Sequence, residues 1–348
     1  MPTTHGAGRA WNFSHSLGRP TGEDNNGTGG FVWPVSLTVA PDDVLFVLSR
    51  GWGIPTYEDT GLDAGCRIGK TTIDEHHFGD FARGEFKWPT GIAISKNGNV
   101  YVSDEWENKI AWLPPDRIIP FPDRDFSGER LGDWGERGSQ PGQIDGPSGI
   151  VFDENDDLYV VDGRNDRVQK FTKDGEFLRG WGSTGSGYGQ FNRHWGITID
   201  HEGFVYVADW GNNRIQKFTP DGEFVMSIGD EHDLNHPADV AVDSEGDVYV
   251  ADWGNCRVQI FEPDGEVIAA LTGDANIFSK AQQYVGTRDN VWQSFEVNSA
   301  HPVVTEMGRF GRVTGIEVTD DDRVIATDSR GRLQVYAKDK NFVLVAPP

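Results

Sequence analysis

Three stretches of the chain are near copies of one another: YVVDGRNDRVQKF (residues 159–171), YVADWGNNRIQKF (206–218) and YVADWGNCRVQIF (249–261). They return after 47 and then 43 residues, and a period of this size is that of a propeller or another repeat array. A unit so short cannot bury its own apolar face. Its neighbours must do so, and the repeat therefore decides the architecture.

Each copy is preceded by an apolar segment and a turn of Asp, Gly or Asn. The segments are WPTGIAISKNGNVYVSD (88–104), GPSGIVFDENDDLYVVD (146–162), HWGITIDHEGFVYVAD (194–209) and HPADVAVDSEGDVYVAD (236–252). Period-two alternation broken by turn residues predicts hairpins. Degenerate copies at 33–49 and 312–328 bring the number of blades to six. A third strand follows in most copies (RVQKF, RIQKF, RVQIF, and RLQVY at 332–336), and a fourth comes after a DGE turn.

The segment WNFSHSLG (11–18) reads as one more outer strand, placed before the first blade. It is expected to pair with the last blade, 312–345, so that the ring closes and no sheet edge stays open. NFVLV (341–345) competes for the same place. The predicted fold is all-β, a single domain over 1–348 made of six four-stranded antiparallel blades.

A net charge of −24 opposes capture of a phosphate backbone or an anionic lipid surface, so nucleic acid and membrane are not expected partners. The two cysteines, Cys66 and Cys256, are too few for a disulfide framework and lack CxxC spacing. No run of 18 apolar residues occurs, and MPTTHGAGRAWNF lacks the apolar core of a signal peptide. The chain reads as a soluble monomer, cytoplasmic by default.

Pro-x-Gly-Ile/Val, then Val-Tyr-Val-x-Asp, then Asn-x-Arg-Ile/Val-Gln-x-Phe resembles the NHL repeat, most closely over 147–261. The resemblance implies a six-bladed β-propeller and leaves the activity open. NHL propellers include RNA-binding modules, protein-interaction modules and peptidyl-hydroxyglycine amidating lyases. Comparison with the lyases makes Arg50, in VLFVLSRGWG (44–53), the match to a functional arginine. It also implies a calcium or other hard cation in the central channel.

The zinc histidines of those lyases have no counterpart here. Their positions hold Val35, Thr90, Ser148, Trp195, Ala238 and Thr314, so a zinc site of that kind is not expected. Asp239, in PADV, matches an acid that follows one of the missing histidines. The lyase tyrosine falls roughly at Arg164.

The repeated acids Asp104, Asp162, Asp209, Asp252 and Asp328 are each followed by Lys109, Arg167, Arg214, Arg257 or Arg332. Four or five residues across a hairpin turn suit an ion pair or a backbone cap, so these aspartates read as scaffold. The loop just after each acid varies: Trp106, Gly163 with Arg164, Trp210, Trp253, and Ser329 with Arg330. One reading makes Trp106, Trp210 and Trp253 the walls and Arg164 the cation of an asymmetric pocket at the channel mouth. The other packs each indole between neighbouring blades.

His194 stands where other blades favour proline, beside Trp195, and is a candidate general base at the rim. With Arg50 it forms the candidate catalytic pair; Trp106, Arg164, Trp195, Trp210, Asp239 and Trp253 are the candidate ligand contacts. Connections longer than the repeat needs span 51–85, 114–143 and 275–309, the last a candidate lid. Two functions compete: binding of a small polar or anionic ligand at the mouth, with lyase- or hydrolase-type chemistry, and a noncatalytic scaffold for a peptide or protein.

Overall fold

A computed structural model describes residues 3–18, 31, 33–40, 43–51, 66–74, 76–82, 84–115, 130–274 and 309–342. In every blade the Val-Tyr-Val type segment forms the second strand, fully buried along most of its length because both faces are covered. These strands are Val44–Ser49, Val100–Asp104, Asp157–Asp162, Val205–Asp209, Val248–Asp252 and Arg323–Asp328. Branched and aromatic side chains fit such a pleated, enclosed surface. The first strands are Pro34–Ala40, Pro89–Ile94, Pro147–Phe152, Ile197–Ile199, Pro237–Val242 and Val313–Val318.

Blades 1 to 5 are four-stranded sheets whose strands follow one another in sequence order. All pairings are antiparallel, as hairpin connections require. Blade 6 adds the N-terminal strand Arg9–Gly18 to its own third strand Arg332–Asp339, with Phe13 opposite Tyr336 and Leu17 opposite Leu333. Thus the N-terminal strand closes the ring, and Thr3–Gly6 extends blade 6 to five strands. Most of NFVLV lies outside the described residues.

The core lies between adjacent sheets. Tyr206 and Ile215 of blade 4, for example, pack against Val240, Val248 and Phe261 of blade 5. Around the axis the first strands approach so closely that a side chain would collide: a Cβ on Gly149 would stand 2.5 Å from the Trp195 carbonyl oxygen. Glycine is therefore needed there for space.

Four of the expected ion pairs form across the second hairpin turn, Asp162 with Arg167 (2.8 Å), Asp209 with Arg214 (2.9 Å), Asp252 with Arg257 (2.8 Å) and Asp328 with Arg332 (3.0 Å). Lys109 turns to Asp133 instead, at 3.2 Å. The same acids also cap backbone N–H groups, as Asp162 does for Asp145 (2.7 Å). They hold the hairpin onto the loop before it.

Candidate functional site

At one end of the ring, each blade begins its first strand and ends its second. The register places Pro34 opposite Ser49, Pro89 opposite Asp104, Pro147 opposite Asp162, Pro237 opposite Asp252 and Val313 opposite Asp328. The residue after the second strand then donates its N–H to the residue before the first: Arg50 to Trp33 (3.0 Å), Glu105 to Trp88 (3.0 Å), Gly163 to Gly146 (3.1 Å) and Ser329 to Arg312 (2.9 Å). These two columns of side chains form the rim of the channel.

Across the rim, one column meets the other on the next blade. The Arg50 guanidinium lies 4.4 Å above the Trp88 ring, linking blades 1 and 2. Trp210 lies 4.0 Å from the His236 imidazole, linking blades 4 and 5, and the Arg312 guanidinium lies 3.7 Å over Trp253, linking blades 5 and 6. Such cation and aromatic stacks attract through the ring quadrupole. Trp210 and Trp253 also meet each other edge to face, at 6.2 Å. The inter-blade alternative is thus the geometry these two indoles adopt.

Arg164 spans blades 2 and 3, bonding Glu105 at 2.9 Å and Asp145 at 3.1 Å. Its charge is already matched. Trp106 is different: its side chain is 74% exposed, an unusual state for so large an apolar surface.

Among the described residues Arg50 is held by one bond, from Nε to the Pro89 carbonyl, 3.2 Å. Its Nη2 is enclosed and has no hydrogen-bond partner among the described residues. Burial lowers its pKa to about 10, against the pull of Glu105 and Asp104. A guanidinium in this state has unspent capacity for an oxygen acceptor.

His194 is turned away from the role of rim base. Its ring is 2% exposed and stacks on Phe191 at 4.4 Å. Nε2 must carry the proton, because its partner at 2.9 Å is the Arg167 carbonyl, which can only accept. Nδ1 is left without a partner, and burial lowers the pKa to about 4. The imidazole is therefore a neutral packing group at pH 7.

Trp195 and Asp239 occupy a separate place, the wall of a cavity of about 170 Å³ on the ring axis, lined by first strands from all six blades. Asp239 stands in a column that is otherwise Gly91, Gly149, Gly196 and Gly315 or Ser36. A second acid, Glu317, lines the same cavity and was not singled out from sequence. Its signal was present. Glu317 fills a position that elsewhere is Thr38, Ala93, Val151, Thr198 or Ala241.

The positions of the absent zinc histidines knit the blades together. Thr90 donates to the Pro147 carbonyl (2.9 Å), Ser148 to that of Trp195 (3.0 Å) and Thr314 to that of Pro34 (2.8 Å). A hard cation on the axis would need six or more oxygens. Those carbonyls keep a second lone pair, and with the Asp239 and Glu317 carboxyls they are oxygen donors of the kind such an ion takes. The central parts of the three long connections, 52–65, 116–129 and 275–308, lie outside the described residues, and the candidate lid is among them.

Fold and rim together define a six-bladed β-propeller with an axial cavity. Residues 86–112, 145–171, 191–218 and 234–261 match the NHL repeat. These four stretches are NHL repeats, set within the six-bladed β-propeller. Among solved structures it is similar to virginiamycin B lyase from Staphylococcus aureus, a catalytically inactive variant with quinupristin (13% identity, 94% of this chain and 99% of that one, TM-score 0.54). It also resembles a protein of unknown function from Bacteroides thetaiotaomicron (16%, 95% and 76%, TM-score 0.62). A further likeness is to a chain of the nidogen/laminin complex (17%, 77% and 92%, TM-score 0.51). No curated protein sequence matches the chain. At these identities the likeness shows the fold alone. No helix among the described residues is long and apolar enough to cross a membrane.

Proposed function

We propose that this protein binds a small polar or anionic ligand at the rim of the channel, with Arg50 as the anion anchor and Trp88 and Trp106 as apolar walls. The observation that carries the reading is the Arg50 guanidinium: stacked on Trp88, bonded once through Nε, and unsatisfied at Nη2. A carboxylate or phosphate oxygen at the guanidinium would make a charge-assisted bond. Among the described residues no nucleophile with an adjacent base gathers on the rim, and His194 is neutral and buried. Binding is therefore what the geometry supports, ahead of lyase or hydrolase turnover.

A panel of small carboxylates and phosphates, titrated by calorimetry against the parent protein and Arg50→Gln, tests this. A bound anion is expected to lose at least tenfold in affinity on Arg50→Gln. Equal affinity in the two proteins would remove Arg50 from the site.

The second reading, a scaffold for a peptide or protein, is favoured by the exposed Trp106 indole, since aromatic anchors of this kind dominate protein interfaces. Trp106→Ala separates the readings. Under the scaffold reading it abolishes binding of a protein partner while leaving small anions bound through Arg50.

A further inference from the structure

Acidic residues outnumber lysines and arginines by 55 to 31 in this chain, and at the rim end of the ring Arg137, Arg164, Arg167, Arg214 and Arg257 each meet a carboxylate. Arg312 meets none among the described residues. Its backbone N–H is bound to the Ser329 hydroxyl (3.0 Å), while its exposed guanidinium rests 3.7 Å over the Trp253 ring. At that distance the guanidinium lies flat on the indole, because an edge-on group would hold its carbon further off. Its N–H edge therefore points away from the ring, where an oxyanion can take two parallel bonds.

Blade 3 shows what occupies such a place. There Arg164 is held by Glu105 (2.9 Å), one residue past the second strand of the preceding blade, and by Asp145 (3.1 Å), two residues before the first strand of its own. The strand register makes Arg330, Trp253 and Gly311 the counterparts of these three residues around blade 6. Neither counterpart position carries an acid. The Arg330 side chain instead crosses Gly311, where a Cβ would stand 3.0 Å from its Cγ. This corner of the rim thus gathers two arginines, and an anion is what their like charges favour.

We propose that the corner of the rim between blades 5 and 6 binds the carboxylate of a small organic acid, held by the Arg312 guanidinium on its Trp253 platform, with Arg330 alongside. The bound group takes the part that Glu105 and Asp145 play for Arg164. The site lies on blades 5 and 6 and does not depend on the Arg50 reading.

The test titrates sodium succinate into the full chain at pH 7 and follows the NMR signal of the Trp253 indole N–H, with sodium chloride and sodium phosphate at matched ionic strength as comparisons. The expected result is a saturable shift with succinate that chloride does not produce, and at least tenfold weaker binding by Arg312→Gln. Arg312→Lys keeps the charge but loses the paired N–H edge, and should also bind more weakly than the parent. Three results would overturn the proposal: no saturable shift with succinate, equal affinity in the parent and Arg312→Gln, or tighter binding of phosphate than of succinate at this signal. Arg312 is exposed, so both substitutions leave the core intact.

Discussion

The Lys338 ammonium lies 2.8 Å from the Asp247 carboxylate, both side chains fully buried, and joins the closing blade to blade 5. Blades 3 and 4 carry this cation on their own third strand: Lys170 meets Asp153 (2.8 Å) and Asp157 (3.0 Å), and Lys217 meets Asp200 (3.5 Å). In blade 5 the same register holds Ile260. Lys338 from blade 6 replaces the missing charge, bonding Asp243 and Asp247, while Arg9 of the N-terminal strand reaches Asp247 at 3.0 Å.

Removing Lys338 leaves Asp243 and Asp247 buried without their main cation. Lys338→Met should destabilise the fold by about 3–5 kcal/mol. Adding Ile260→Lys to that variant returns a cation from within blade 5 and should recover part of the loss. Urea denaturation of the two variants and the parent measures both effects; a second substitution with no recovery would contradict this exchange of charge between blades.

Trp11 of the N-terminal strand is fully buried and donates from Nε1 to the Tyr249 hydroxyl at 3.0 Å. Trp11→Ala should cost about 3–5 kcal/mol through the cavity it leaves. Trp11→Phe keeps most of the apolar contact and loses the hydrogen bond, at about 1 kcal/mol. Thermal midpoints of the two variants should fall in that order.

The lowered pKa of His194 means that the folded state binds fewer protons than the unfolded one. Its contribution to stability is present above the ordinary histidine value and is lost as pH falls through that value toward about 4. Ring proton shifts of His194 measured by NMR should stay constant from pH 8 to pH 5.5. A midpoint near 6.5 would mean that the ring is accessible to water.

For Asp239 and Glu317 the sign is reversed. Their folded pKa values are raised, so the folded state holds protons that the unfolded state has released, and stability falls as pH rises from the ordinary carboxylate range to about 7 and 8. Asp239→Asn and Glu317→Gln should therefore be more stable than the parent at pH 9. That advantage should shrink toward pH 4. Thermal midpoints across this range supply the comparison.

The Arg312 stack on Trp253 ties blade 6 to blade 5 at the rim. A double-mutant cycle of Arg312→Gln and Trp253→Leu should give a coupling of about 0.5–1 kcal/mol. Zero coupling would make the contact incidental.

Asp239 was legible as the match to an acid of the resembling lyases, yet Glu317 was passed over because its column varies among small and apolar residues. Trp210 and Trp253 were legible as exceptions to the repeat. Their contacts were not, since His236 and Arg312 belong to the next blade and are far from them in sequence order only by the length of a connection. Arg164 showed its charge but not the two carboxylates that match it. His194 showed an imidazole but not its burial against Phe191.

Blade number, strand order within each blade and four of the five hairpin ion pairs follow from the chain alone, because alternation and turn chemistry act over a few residues; the choice of 11–18 over 341–345 as the closing strand did not. Which side chain meets which across a blade boundary depends on how sheets twist and stack around an axis. That stacking separates one set of candidate residues into a cationic, aromatic rim and an acidic cavity, and it replaces Ile260 with Lys338 as the partner of two buried acids.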